Sequence, residues 1–255
     1  MMTAKARLHV GTSGFTYQHW REVFYPGDVP QKRWLEYYAE HFDTVEINTT
    51  YYHMPRESVC ESWRRRTPDA FSFVLKLNRF ITHRRRLVDC GELLESFLAA
   101  AEKLGDKLGP FLVQLPPRFG ADPPRLEAFL KICPKRHLWA FEFRDPSWLC
   151  EEVYAVLRAR GAALVVHDLI EDHPRVTTAG WTYMRCHGPG GRYRGCYTPG
   201  MLREQATVIR ECLSAGLDVY AYFNNDMQGY AVENAKTLKH FLGENGSDFP
   251  ADFAP

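Results

Sequence analysis

Thr44-Val45-Glu46-Ile47-Asn48-Thr49 is the segment on which the fold turns. Successive side chains of a strand point to opposite faces. Val45 and Ile47 suit a face packed against helices, so Glu46 and Asn48 take the other face. Strands buried on both sides should be almost wholly apolar. This segment breaks that rule, and others break it with the same phase. Phe141-Glu142-Phe143-Arg144 turns Glu142 and Arg144 the same way, and Leu75-Lys76-Leu77-Asn78 turns Lys76 and Asn78. Val113-Gln114-Leu115 turns Gln114, Met184-Arg185-Cys186-His187 turns Arg185 and His187, and Tyr222-Phe223-Asn224 turns Tyr222 and Asn224. In the sixth strand-like run, phase leaves His167 and Asp168 as alternatives.

Working outward, eight strand-like runs appear: Leu8–Gly11, Thr44–Thr49, Ser72–Leu77, Phe111–Leu115, Trp139–Phe143, Ala163–His167, Thr182–His187 and Val219–Phe223. Helical patterns near 31–41, 56–66, 92–104, 123–132, 150–160, 200–214 and 229–242 separate them. The connection 168–181 lacks a helical pattern and carries Pro174. Thr198-Pro199 supplies an N-cap hydroxyl and a first-turn proline, and Gly161 and Gly216 stand where helix C-caps are expected. Eight β/α units in this length predict a TIM (β/α)8 barrel as a single domain over residues 7–242. A doubly wound sheet is the alternative, but no G-x-G-x-x-G follows the first strand. Residues 243–255, rich in Gly, Asn, Ser, Asp and Pro, read as a mobile tail.

Composition supports this reading. The 255 residues are 45 % hydrophobic and 25 % charged, which excludes a disordered or coiled-coil chain. A formal charge of +1 argues against a global polyanion-binding surface and leaves room for a local basic pocket. Seven cysteines without a CxxC pair suit reduced thiols. No apolar run approaches the roughly 18 residues of a membrane span, and the first residues lack a signal-peptide core. A cytoplasmic protein with no membrane partner is expected; the oligomeric state stays open.

The inward polar residues sit toward the C-terminal ends of their strands, where barrels of this type carry their active sites. A buried ion network that only fixes register is the simpler alternative. Polar groups from so many strands are costly to bury unless they serve a ligand, so a pocket is expected. Lys76, Arg144 and Arg185 oppose Glu46 and Glu142 there, which favours an anionic or sugar-like ligand. Carboxylates plus His187 could also ligate a divalent ion, but three cations oppose it and no HExxH spacing exists. No metal and no cofactor are expected. The glycine-rich loop after His187 and the helix start at Thr198-Pro199 predict an anion cradle. Arg84-Arg85-Arg86, with Trp20, Tyr51, Tyr52 and Trp148 beyond strand ends, offers a nucleic-acid surface as the competing use.

Several ordered motifs sharpen the picture. Gly11 to Phe15 with Trp20 and Phe24-Tyr25-Pro26, Thr44 to Tyr52, Gln114 to Pro117, Glu142 to Trp148, Arg185 to Gly188 and Tyr222 to Asp226 together resemble the YecE-like family, domain of unknown function 72. The resemblance runs from about residue 7 to 242 and implies a TIM barrel. It implies shared polar positions at Glu46, Asn48, Tyr51, Gln114, Glu142, Arg144, Trp148, Arg185, His187, Gly188, Asn224, Asn225 and Asp226. Asp145 stands where the family usually has histidine, and Cys186 where leucine is usual.

Three functions follow as expectations. The first is an enzyme of the hydrolase or lyase type, acting on a phosphorylated or sugar-like anion. Glu46, Glu142 and His187 would do its acid–base work. Asn48, Tyr51, Lys76, Gln114, Arg144, Trp148, Arg185, Gly188, Asn224, Asn225 and Asp226 would hold the ligand. The second is a nucleic-acid-binding or nuclease-like barrel. The third is a non-catalytic small-molecule binder.

Overall fold

The computed structural model describes residues 6–191 and 193–243. Eight parallel strands are present: β1 (Leu8–Thr12), β2 (Thr44–Ile47), β3 (Ser72–Lys76), β4 (Leu108–Gln114), β5 (Trp139–Glu142), β6 (Ala163–His167), β7 (Trp181–Cys186) and β8 (Asp218–Phe223). They are hydrogen-bonded in the order β1-β8-β7-β6-β5-β4-β3-β2. The remaining seam, β1 to β2, is joined by a parallel bridge between Ser13 and Glu46, with the Gly14 amide donating to the Glu46 carbonyl at 2.7 Å. The result is a nearly closed single-domain TIM-like barrel. Gly11 makes the seam possible. A Cβ there would stand 2.4 Å from the Thr44 carbonyl oxygen, so any side chain would push the two strands apart.

The helices are α1 (Trp34–His41), α2 (Thr49–Tyr52), α3 (Glu57–Arg65), α4 (Gly91–Ala101), α5 (Pro123–Ile132), α6 (Glu151–Arg160), α7 (Pro199–Ser214) and α8 (Tyr230–Phe241). Local chemistry sets their ends. Asp122 caps α5 by accepting from the Arg125 amide at 3.0 Å, and Thr198 caps α7 by accepting from Met201 at 3.3 Å. The pattern expected over 92–104 ends as an α-helix at Ala101 and continues as a 3-10 turn to Lys107. Gly105 at φ 57 breaks the helical path there. The connection 168–181 contains no helix, as its sequence suggests. Against β6 and β7 it leaves a cavity of about 720 Å³ lined by Val166, His173, Met184 and Gln205. Of the 243–255 tail, all residues after Gly243 lie outside the described ones.

Two apolar zones follow from the strand phase. The outer one, between strands and helices, includes Val45, Ile47, Phe141, Phe143 and the inner faces of the helices. The inner one fills the barrel with Val74, Leu112, Ala140, Ala163, Val165, Trp181, Tyr183, Tyr220 and Tyr222. On β3, β4, β5 and β7 the last inner apolar or aromatic residue lies two positions before a polar one: Val74 before Lys76, Leu112 before Gln114, Ala140 before Glu142, Tyr183 before Arg185. The lower barrel is thus a packed core, and the polar layer lies above it at the C-terminal end. The same phase makes His167, two past Val165, the inward residue of β6.

Candidate functional site

Arg185 stands at the centre of the polar layer, 1 % exposed. A guanidinium has five N–H donors in a fixed fork, and here all five are engaged. Nε donates to Glu46 Oε2 at 3.0 Å, and Nη2 to Glu46 Oε1 at 2.6 Å and to Ser13 Oγ at 3.5 Å. Nη1 donates to Glu142 Oε2 at 2.5 Å and to His187 Nε2 at 3.1 Å. Glu46 is equally saturated. Besides Arg185 it accepts from the Ser13 hydroxyl at 2.6 Å and the Tyr183 hydroxyl at 2.6 Å. Burial pushes the Glu46 carboxyl up, but the Arg185 charge and these donors more than reverse it and hold it below the usual range. Glu142 is held well below that range: burial is outweighed by Arg144 and Arg185.

His187 is wholly buried and oriented from both sides. Its Nε2 meets Arg185 at 3.1 Å and Arg144 Nη2 at 3.0 Å, and both partners can only donate. Nε2 is therefore the acceptor, and the ring proton sits on Nδ1, 3.2 Å from Asp168 Oδ1. Burial lowers the pKa of the ring, with Asp168 opposing, so the imidazole is neutral. Asp168 also accepts from the His187 amide and from the Tyr197 hydroxyl. This settles the alternatives on the sixth strand. His167 is the inward strand residue, but its Nε2 meets the Phe143 carbonyl at 2.8 Å and its Nδ1 accepts from Leu169 at 3.2 Å. Asp168, one residue beyond β6, is the group that reaches His187.

Above this layer the geometry changes. Arg144 donates through Nε to Glu142 and through Nη2 to His187, and its other N–H groups have no acceptor among the described residues. Lys76, the last residue of β3, lays Nζ over the Tyr51 ring at 4.6 Å from its centre. It makes no hydrogen bond or ion pair with the described residues. Burial, then the Arg185 and Arg144 charges, push the Lys76 pKa down to about 7 against the pull of Glu142 and Glu46. A cavity of about 520 Å³ opens beside Lys76, lined by Tyr17, Asn48, Tyr51, Lys76, Asn224 and Asp226 among others, with Arg144 outside its lining. Asn48 Oδ1 is buried without a hydrogen-bond partner. Burial raises the pKa of Asp226, whose carboxylate lies 3.3 Å from His19 Nε2.

The other expected residues have different surroundings. Gln114 Nε2 donates to the Leu115 carbonyl at 2.9 Å. Trp148 is fully buried, stacks on Phe143 at 4.7 Å and donates its indole N–H to the Phe119 carbonyl. It packs the barrel rim and presents no surface to a ligand. Asn225 Nδ2 ties Gly195 to Asn234 of α8, at 2.8 and 2.9 Å, and so clamps the loop after β7. The cradle expected in that loop is also largely closed. The Gly188 amide donates to Tyr197 Oη at 2.8 Å, and the Gly190, Tyr193 and Arg194 amides bond within the segment 187–194. Gly188 has φ 107, and a Cβ on it would lie 2.2 Å from the Arg194 carbonyl oxygen, so glycine is required by the loop's own packing. Asp145 caps the turn Pro146–Trp148 by accepting from the Ser147 amide at 3.1 Å. Ser13, Tyr183 and Tyr197 are the site residues that sequence reasoning leaves out, and Asp168 is one of two alternatives that phase does not separate. Tyr183 had a signal, since it shares the inward phase of Arg185.

Among the described residues, no helix is long and apolar enough to cross a membrane.

Comparison with known proteins agrees with the fold. The chain is 36 % identical over 140 residues to the UPF0759 protein YecE of Escherichia coli (strain K12), a match covering 52 % of each chain. It thus spans about half the length of that relative. With the UPF0759 protein YunF of Bacillus subtilis (strain 168) it shares 26 % identity over 92 % of this chain and 94 % of that one. The crystal structure of a DUF72 family protein from Thermotoga maritima matches with a TM-score of 0.84 and 31 % identity, covering 93 % of this chain and 99 % of that one. The family described as "Protein of unknown function DUF72" matches residues 9–254, and this chain belongs to it.

Proposed function

We propose that the C-terminal mouth of the barrel binds an anionic small molecule, phosphorylated or sugar-like. One observation carries this reading. The carboxylates of the polar layer are engaged by Arg185, Ser13, Tyr183 and Arg144, whereas Arg144 and Lys76 keep unoccupied donors. Apart from Asp226, which lies beside His19, the charges offered to a ligand are therefore those of the cations. Arg185 is the support in this reading: it fixes Glu142 and His187, and these aim Arg144. Glu46 has no lone pair to offer a substrate proton, so its part is to hold Arg185. His187 Nε2 faces two guanidinium groups and orients Arg144 rather than exchanging protons with solvent. Asn48, Tyr51 and Asn224 supply polar contacts for hydroxyl groups.

Calorimetry with inorganic phosphate and a phosphosugar, on wild type and Arg144→Leu, tests the reading. A hydrogen bond to a charged group contributes about 1.5–3 kcal/mol, so Arg144→Leu should weaken binding by roughly 10- to 150-fold. Absence of binding in wild type, or equal binding in Arg144→Leu, would overturn it.

A second reading has its own support. Tyr52, Phe80 and Tyr193 are exposed by 55 %, 51 % and 39 %, and Arg79, Arg84 and Arg85 are exposed in the segment 79–85. Exposed rings beside cations suit single-stranded nucleic acid. Oligonucleotide binding that falls steeply with salt would favour this reading over the first.

A further inference from the structure

We propose that Lys76 is a nucleophilic amine that condenses with the carbonyl carbon of an aldehyde or ketone bound at the barrel mouth. The carbonyl compound carries the anionic group for which Arg144 is the partner, so the proposal rests on the anion reading above. Lysine serves this chemistry when it is desolvated or lies beside another cation. Lys76 is half-buried on the wall of the cavity, and the charges of Arg185 and Arg144 act on it. Its backbone is fixed at the end of β3, where its carbonyl accepts from Thr50 Oγ1 at 2.7 Å. Its side chain lines the 520 Å³ cavity, and Tyr51 covers one side of Nζ.

Lys107, a buried lysine, shows what a structural ammonium looks like in this fold. Lys107, 7 % exposed, donates to the Arg64 carbonyl at 2.7 Å, to the Thr67 carbonyl at 2.6 Å and to Thr67 Oγ1 at 3.4 Å. All three of its donors are used, and its lone pair is never available. Lys76 has no such partners among the described residues. The charged groups acting on it are Arg185 and Arg144, which disfavour the ammonium form, and Glu142 and Glu46, which favour it. Neighbouring His83 is neutral, its pKa lowered to about 4 by burial, Lys76 and Arg144.

The step balances without an oxidant or reductant. The Nζ lone pair attacks the carbonyl carbon, and one nitrogen proton passes to the oxygen to give a carbinolamine. That hydroxyl takes a proton from an acid and leaves as water while the nitrogen lone pair forms the C=N bond, and the second nitrogen proton returns to the acid. Asp226, whose carboxyl pKa is raised by burial, lines the same cavity and can carry the proton. Asn48 Oδ1, an acceptor without a partner, suits a hydroxyl of the substrate.

Reductive trapping tests this. The full chain is incubated at neutral pH with D-glyceraldehyde 3-phosphate or with D-glyceraldehyde, reduced with cyanoborohydride, and mapped by peptide mass spectrometry. At pH 7 an ordinary lysine is only about 1 part in 2,500 free base, so Lys76 should exceed each of the other eight lysines by about tenfold or more. Its labelling rate should level off above neutrality while the others keep rising. Faster labelling by the phosphorylated probe supports both readings. Equal labelling of Lys76 by the two probes supports the amine and removes the anion. Label spread evenly over the lysines overturns the amine, and the phosphate calorimetry then decides the anion reading separately. A Lys76→Arg variant with an unchanged circular dichroism spectrum should lose the preferred label; label retained at that level on other lysines also overturns the proposal.

Discussion

Replacing Arg185 with methionine is the severest single perturbation the polar layer offers. The substitution removes five donated hydrogen bonds and the positive charge shared by Glu46 and Glu142. Both carboxylates are fully buried. Breaking a buried ion pair by removing one partner costs about 3–5 kcal/mol. Two pairs are broken here, but Glu46 keeps Ser13 and Tyr183, and Glu142 keeps Arg144. The expected loss therefore stays in the range of about 3–5 kcal/mol. At roughly 2–4 °C per kcal/mol for a chain of this size, Tm should fall by about 6–20 °C. The deficit should also depend on pH, in a direction opposite to wild type. In wild type both carboxyl pKa values lie below the unfolded value of about 4.3, so their stabilisation is present above that value and is lost as pH falls through the folded values. In Arg185→Met, burial, the largest influence on Glu46, is opposed only by the Ser13 and Tyr183 hydroxyls, and its folded pKa rises above the unfolded one. The folded variant then binds the extra proton, so its stability increases as pH falls toward about 4.3. Thermal melts of both proteins at pH 7.5 and pH 5 measure the gap. A gap below about 1 kcal/mol, or one that widens at pH 5, would refute the account of the cluster. Adding Glu46→Gln and Glu142→Gln to Arg185→Met should recover part of the loss.

Gly11→Ala should open the barrel seam, because its Cβ meets the Thr44 carbonyl oxygen at 2.4 Å. Overpacking of this kind costs about 1–3 kcal/mol, read as a lower midpoint in urea; an unchanged midpoint contradicts the seam described here. Tyr183→Phe removes one donor from Glu46 and should cost about 1.5–3 kcal/mol at neutral pH, less in acid, by the same denaturant titration. Chelation with EDTA should leave Tm unchanged within about 1 °C, since nothing in the ligand spacing calls for a structural metal; a large drop would reopen the carboxylate–histidine site.

The barrel was legible in the sequence because its physics is periodic. A parallel strand buried on both faces has to be apolar, so Glu46, Lys76, Glu142 and Arg185 announce an interior polar layer by violating that rule in step. What periodicity does not carry is saturation. Whether a charged group faces a ligand depends on which donors its neighbours have already filled, and those neighbours come from distant segments. Arg185 reads as a ligand-binding arginine until Ser13, Glu46 and Glu142 are seen to occupy it, while Lys76 has nothing to occupy it. The loop after His187 reads as an anion cradle, but backbone amides that look available in sequence bond within their own loop. Trp148 illustrates the converse: an aromatic past a strand end is compatible with stacking on a ligand, and packing on Phe143 takes it instead.

The cluster around Arg185 also imposes an order in time. Glu46 emerges from synthesis 139 residues before its partner Arg185, and Ser13 precedes it by 172. At about 5–20 residues per second, the nascent chain waits roughly 7–28 s between making the carboxylate and making the cation that lets it be buried. Through that interval the first half of the barrel cannot close over Glu46 without leaving a charge unpaired, so its β2 end must stay wet or be shielded. Completion of β7 then removes the obstacle in one event, linking β2, β5 and the β1 loop through a single side chain. Burial of Glu46 is thereby gated on the seventh strand, while closure of the barrel still awaits β8, which lies between β7 and β1; a chain stopped short of residue 185 should therefore leave its β2 end open however well its first strands are formed.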